Sequence, residues 1–346
     1  MSGGPYRVVQ WATGNVGSRA MRAVIEHPDL ELVGVCVFSD AKAGRDAGDL
    51  CGLDPTGVIA TRNIDEILAL EPDCVLYMAD RADIDVLCRL LGSGINVVST
   101  RSEFHRPATL SSEIRARLES ACVEGGSSLH STGSSPGFIT EALPVALLSL
   151  QRRLDQLTIE EFADMSSRNS PEMIFDLMGF GRDPAAFDPR GVEAHGGAAF
   201  AGSLGVVADA LSLPLDDVVA KGQVAVASTS VDIAAGRIEA GTIAAQRMEV
   251  VGMHAGRPLL TFRANWYLTT DVDPAWDLRD TGWHVLVEGD APLDVDIRFP
   301  VLPEEWAATS PGLTAHRPVN AVRYVCEAKP GILTSVDLPQ IVPTFG

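Results

Sequence analysis

The chain has 346 residues, 46% of them apolar, and a net charge of −19. That length favours two domains over one core, and the apolar content supports a sizeable buried interior. The acidic balance argues against nucleic acid or an anionic membrane surface as partner, and no apolar run approaches the roughly 20 residues of a spanning helix.

The first predicted element is a strand over 6–11, running into Ala12-Thr13-Gly14-Asn15-Val16-Gly17 and then a helix over 17–26 with apolar residues at helical spacing. A strand, a glycine turn and a helix in this order form a phosphate-binding element. The helix N-terminus offers free N–H groups, and glycine lets a pyrophosphate approach the backbone. Trp11 stands where the full fingerprint has its first glycine. The cofactor-binding candidates here are Thr13, Gly14, Asn15, Val16 and Gly17. A second strand over 31–38 follows at the βαβ distance. Phe38 occupies the place where an NAD-binding acid would end that strand. Ser39, Lys42 and Arg45 favour a 2′-phosphate, and so NADP(H), whereas Asp40 can still serve the ribose of NAD.

Helices are predicted over 63–70, 82–92 and 111–124, and strands over 73–77, 95–99 and 127–131. This alternation means βαβ units and a parallel sheet. Met78 and Ala79 follow the strand at 73–77, at the carboxyl end where loops line a ligand crevice. The loop after 95–99 reads Thr100-Arg101-Ser102-Glu103-Phe104-His105-Arg106. Thr100 joins the cofactor set. Glu103, His105 and the arginines are the proton-handling groups of this loop, with Glu103 and His105 the candidates for hydride chemistry: a histidine suits an alcohol, and a carboxylate suits an amine because it attracts an ammonium or iminium ion. Side-chain type alone does not choose between them.

From about 152 the texture changes. A half-buried strand is predicted over 154–162, an apolar helix over 171–180, a Gly/Pro-rich loop over 179–197 and a helix over 203–212. Long alternating segments at 220–234, 239–254, 258–271 and 281–299 imply an open, mostly antiparallel sheet. A last helix over 319–328 stops at Pro330-Gly331. The expected organisation is α/β: a Rossmann domain over 1–150, an α+β substrate and dimerisation domain over 151–315, and a C-terminal helix and tail over 316–346 returning to the first domain. The six cysteines form no CxxC and the histidines no HxxxH, so neither a disulfide nor a metal site is expected. The strand near the N-terminus leaves no space for a signal peptide, which makes the expected location cytoplasmic.

Several stretches together carry a resemblance: Gln10-Trp11-Ala12-Thr13-Gly14-Asn15-Val16-Gly17, Ala43-Gly44-Arg45-Asp46-Ala47-Gly48, Asn96-Val97-Val98-Ser99-Thr100, Gly133-Ser134-Ser135-Pro136-Gly137-Phe138, the run from Ser170-Pro171-Glu172 to Gly179-Phe180-Gly181, and Val319-Asn320-Ala321-Val322. The chain resembles the dihydrodipicolinate reductase-like NAD(P)-binding proteins, in the branch of 2,4-diaminopentanoate dehydrogenase and the native amine dehydrogenases. The resemblance implies a Rossmann domain, a second domain on an open sheet, a homodimer, and a catalytic glutamate just after the strand at 95–99, which Glu103 matches. The paired histidines, lysine and Pro-Ser-Gly-Thr turn of true dihydrodipicolinate reductases have no match. The region 165–180 is rich in Met, Phe, Ile and Leu, so a dianion would find few cations there.

The expected reaction is reductive amination of a small ketone or aldehyde with ammonia, and its reverse. Phe138, Met173 and Phe175 are the candidate pocket residues, each equally suited to core packing. Two alternatives stay open: an ammonia-independent carbonyl or imine reductase using His105 or water as proton donor, and a non-catalytic NADP(H) sensor on the same fold.

Overall fold

The β-branched runs of the first 131 residues form parallel strands, as expected of runs apolar on both faces. The computed structural model describes residues 4–192 and 197–345. In chain order the strands β1 (Tyr6–Trp11), β2 (Leu30–Cys36), β3 (Ala60–Thr61), β4 (Cys74–Tyr77), β5 (Asn96–Ser99) and β6 (Ser128–Ser131) alternate with the helices α1 (Asn15–Ile25), α2 (Ala47–Cys51), α3 (Ile64–Ala69), α4 (Ile84–Gly92) and α5 (Ser112–Gly125). Strand order is β3-β2-β1-β4-β5-β6, every pair parallel. The order reverses between β1 and β4. In sheets of this type the ligand crevice lies at such a switch point, outside the carboxyl ends of the strands.

A second sheet follows. α6 (Leu143–Leu148) leads to β7 (Leu154–Asp164), then α7 (Pro189–Val192) and α8 (Ala198–Ala210). The remaining strands are β8 (Asp217–Ala227), β9 (Val231–Ile233), β10 (Gly236–Ile238), β11 (Ile243–His254), β12 (Arg257–Tyr267), β13 (Val272–Asp273), β14 (Gly282–Gly289) and β15 (Leu293–Arg298). The order β13-β8-β11-β12-β7-β14-β15 is antiparallel except at β12–β7, and β9 and β10 form a separate hairpin. α8 packs on β11 and β12, with Phe200 stacked on Phe262 at 3.8 Å between ring centroids. The chain then returns through α9 (Pro303–Cys326) to β16 (Gly331–Leu333), which pairs in parallel with β6 and completes a seven-stranded first sheet.

The structure divides into two units, Met1–Phe138 with Ser310–Gly346, and Ile139–Thr309. The division falls earlier in the chain than the expected 150 and 315. In the first unit, Val8, Leu76 and Val98 pack with Met21 and Val24 of α1 and with Val319, Val322 and Val325 of α9. On the other face Val9, Val75 and Val97 pack with Leu87, Leu90 and Leu118. Among the described residues no helix is long and apolar enough to cross a membrane.

Some elements differ from expectation. The helix expected over 171–180 is a shorter turn, Glu172–Leu177, because Gly179 and Gly181 both take φ of 75° and end it. The segment 281–299 is two strands with a turn at Asp290-Ala291-Pro292 between them. Residues 193–196 of the expected loop lie outside the described residues. The last helix begins at Pro303 rather than 319. Pro311 and Pro318 suggest breaks in sequence, but both sit inside it.

Candidate active site

The phosphate turn is built by close packing. A Cβ on Gly17 would sit 2.2 Å from the backbone oxygen of Ala12 and 3.1 Å from Nε2 of Gln10, so only glycine fits there. A Cβ on Gly14 would meet nothing within 4 Å. Ala12 takes a left-handed φ of 71°. Gln10, fully buried, donates from Nε2 to the Ala12 oxygen at 2.8 Å and fixes this bend. α1 has Gly14 as N-cap, no side-chain cap and no acid in its first turn, so its leading N–H groups face an incoming anion.

Beside this turn is a cavity of about 850 Å³. Thr13, Gly14, Ser39, Lys42, Met78 and Ala79 line it, all of them sequence candidates. Asn15, Val16 and Gly17 follow on the first turn of α1, and Thr100 leads into the next loop; these four are not among its lining residues. Three buried polar atoms of the turn have no protein partner: Oε1 of Gln10, Nε1 of Trp11 and Oγ1 of Thr13. Orphaned buried polar atoms are costly unless something pairs them. Of these residues Trp11 and Thr13 line the cavity, and with the free helix N-terminus and the open side of Gly14 they fit a dinucleotide.

Lys42 donates from Nζ to the Thr13 oxygen at 2.8 Å, which ties the loop after β2 to the phosphate turn. Ser39 accepts from the Ala41 N–H through Oγ. Asp40 is 90% exposed, pairs with Arg62 and is not among the cavity-lining residues.

Glu103 lies in a short 3-10 turn, Ser102–Phe104, just past β5. Phe104 is fully buried and His105 is only 1% exposed, so both anchor the turn. The Glu103 carboxylate is held by Arg101: Nε donates to Oε1 at 3.0 Å and to Oε2 at 3.1 Å, and Nη2 lies 2.9 Å from Oε1. Nη1 of Arg101 donates to the backbone oxygen of Asp80, a residue of the cavity wall. Arg101 is itself pinned, its N–H donating to Oγ of Ser99 and its oxygen accepting from Oγ of Ser131 at 2.7 Å.

Phe138 lies in the first unit, with the Arg317 guanidinium 5.5 Å from its ring centre. Met173 and Phe175 lie in the second unit, packed against the core cluster of Phe162, Ile174 and Tyr267. Trp11 takes the place of the first fingerprint glycine for a packing reason. It stacks on Tyr77 at 5.9 Å and lines the cavity. Phe38, 60% exposed, also lines it. Arg101 was not singled out. The available signal was its opposite charge two residues before Glu103 on one short loop.

Residues 8–100 match the dihydrodipicolinate reductase N-terminus, and residues 138–345 match the 2,4-diaminopentanoate dehydrogenase C-terminal domain. An amine dehydrogenase from Streptomyces virginiae is 33% identical over 98% of this chain and 97% of its own length. The 2,4-diaminopentanoate dehydrogenase of Acetoanaerobium sticklandii is 23% identical over 96% of this chain and 93% of its own. The structure of an amine dehydrogenase from Mycobacterium smegmatis superposes with a TM-score of 0.76 at 20% identity, covering 98% of this chain and 97% of that one. The chain therefore belongs to the amine dehydrogenase family, with residues 138–345 forming its 2,4-diaminopentanoate dehydrogenase C-terminal domain.

Proposed function

We propose that the protein catalyses the reductive amination of small ketones and aldehydes with ammonia, and the reverse oxidative deamination, with NADP(H) preferred and Glu103 as the catalytic carboxylate. As a member of its family the chain is an NAD(P)-dependent oxidoreductase acting on CH–NH2 groups. In the proposed direction a carbonyl compound, ammonia, a proton and NAD(P)H give a primary amine, water and NAD(P)+. The observation that carries the reading is a carboxylate on the loop after β5, linked through Arg101 to the wall of the dinucleotide cavity.

When bound, the dihydronicotinamide supplies the hydride. The N-terminus of α1 and the turn at Gly14 would hold the pyrophosphate. Phe38 and Met78 offer apolar surface for the adenosine, and Trp11 and Thr13 offer polar atoms to it. The carboxylate of Glu103 would attract the ammonium and iminium species and carry a proton as water leaves. Burial of His105 works against that residue as the donor. For substrate contact, Phe138 offers an aromatic face on the first unit, and Met173 and Phe175 offer apolar side chains on the second. The NADP preference rests on Ser39 and Lys42 lining the cavity while Asp40 is turned to Arg62.

A homodimer is part of the same reading. The face of the second sheet opposite α8 alternates Glu249, Arg263 and Glu160 across β11, β12 and β7, with Arg263 paired to both acids at 2.7 Å. A second copy is the assigned occupant of this face, since most soluble oligomers are symmetric homo-oligomers. Sedimentation at micromolar concentration should report twice the chain mass.

The test of function is a panel of small ketones and aldehydes with NADPH or NADH, with and without ammonium. Turnover should need ammonium and run faster with NADPH. Equal rates without ammonium would make the protein a plain carbonyl reductase, and tight cofactor binding without turnover would make it a sensor.

A further inference from the structure

We infer that Arg101 is a positioning residue for the reaction, holding the Glu103 carboxylate in one fixed orientation while its own guanidinium is tied to Asp80 of the cofactor-cavity wall. The inference rests on the assignment of Glu103 as the catalytic carboxylate. Glu103 projects from a turn of three residues, and its side chain is 33% exposed. A glutamate in such a place has many rotamers open to it. Among the described residues Arg101 narrows that choice, and it does so with a fork: Nε on both carboxylate oxygens and Nη2 on Oε1. Such bidentate contacts fix direction as well as distance.

The fork is held from three sides. The side chain reaches the Asp80 oxygen, which follows β4. The Arg101 N–H meets Ser99 at the end of β5, and the Arg101 oxygen meets Ser131 at the end of β6. Three neighbouring strand ends of one sheet therefore converge on Arg101, two on its backbone and one on its guanidinium, and through it on Glu103. That is a rigid support for a group on an otherwise short loop. An ionised carboxylate has about four acceptor sites, so it can keep the fork and still accept an N–H from ammonia or an iminium ion. A lysine has the charge without the fork.

The experiment is a double-mutant cycle on the full-length enzyme, read as kcat and KM for ketone, ammonium and cofactor. Glu103→Gln should abolish most turnover. Arg101→Ala should lower kcat by about 10- to 100-fold, the effect of misplacing a reacting group by about an ångström. The cofactor dissociation constant should stay within threefold, and Arg101→Lys should fall between. Single-turnover hydride transfer should show little further loss when Arg101→Ala is added to Glu103→Gln, because a residue acting through Glu103 has nothing left to position. Millimolar guanidinium should restore part of the rate of Arg101→Ala and none of Glu103→Gln. If Arg101→Ala does not fold, the same cycle with Arg101→Lys decides. An equal loss in both backgrounds, or a raised cofactor constant with kcat intact, would overturn positioning and make Arg101 a direct ligand. An unchanged kcat in Arg101→Ala beside an inactive Glu103→Gln would overturn the positioning role alone. Full activity in Glu103→Gln would overturn the reading of Glu103 and this inference with it.

Discussion

Gly14 and Gly17 are three residues apart in one turn and serve different ends. Gly17 is required by the protein itself, since a Cβ there would press on the Ala12 oxygen at 2.2 Å. Gly14 has no neighbour that a Cβ would meet. Alanine in place of a helical glycine gains up to about 1 kcal/mol of helix propensity, but overpacking against backbone costs about 1–3 kcal/mol. Gly17→Ala should therefore lower the thermal midpoint and weaken NADPH binding at least tenfold, by calorimetry and fluorescence titration. Gly14→Ala should leave the midpoint nearly unchanged and weaken binding only. At this scale the turn was legible because glycine spacing reports backbone geometry directly. Arg101 was not, since nothing in a sequence says which of three arginines around Glu103 (Arg101, Arg106, Arg115) folds back on it.

Among the elements, the second sheet concentrates its charges on one face. Glu160 of β7 is drawn out of water by burial, which alone would raise its pKa. Hydrogen bonds and charge from Arg263 and His284 outweigh that and hold it below its ordinary value of 4.5. A depressed carboxylate contributes stability that is fully present above the ordinary value and lost as pH falls through the folded one. Glu160→Gln should thus lower stability at pH 7 by about 1–3 kcal/mol, between an exposed and a buried pair. The gap should narrow as pH falls below the ordinary value of 4.5 and close as it passes through the lower folded value, where the wild-type carboxyl becomes a neutral near-isostere of glutamine. Urea denaturation at a series of pH values reads this, and a gap that stays constant to pH 3 would rule it out. The strands of this sheet were legible as long alternating runs. Pairing order was not, because alternation marks a face and not a neighbour: the one parallel pair, β7 with β12, joins segments about 100 residues apart. α9 was misread at its start because Pro311 and Pro318 are local signals, and the burial of Val319, Val322 and Val325 overrides them.

The molecule as a whole is two units, of which the first is discontinuous. Val319, Val322 and Val325 of α9 are all 2% exposed or less. Their burial alone is worth roughly 4–9 kcal/mol, comparable to the 5–15 kcal/mol by which a domain is stable. β16 adds a parallel strand beside β6, and Glu327 accepts from the Tyr6 hydroxyl at 2.9 Å. Deleting residues 310–346 should therefore abolish cofactor binding and remove the first unit's cooperative transition, as read by calorimetry. The two-domain organisation was legible from the change of texture near residue 150. The depth of the return was not, because long-range pairing leaves no local mark.

That return sets an order on how the chain is made. The phosphate turn and the first six strands of its sheet leave the ribosome early, yet the last strand lies some 200 residues beyond β6. At about 5–20 residues per second, the nascent first unit waits on the order of 10–40 s for its closing strand. The second unit, contiguous from Ile139 to Thr309, is complete before that strand appears. The part of the protein that begins first is the last to be finished, and nascent chains stalled before residue 331 should be unable to retain a dinucleotide.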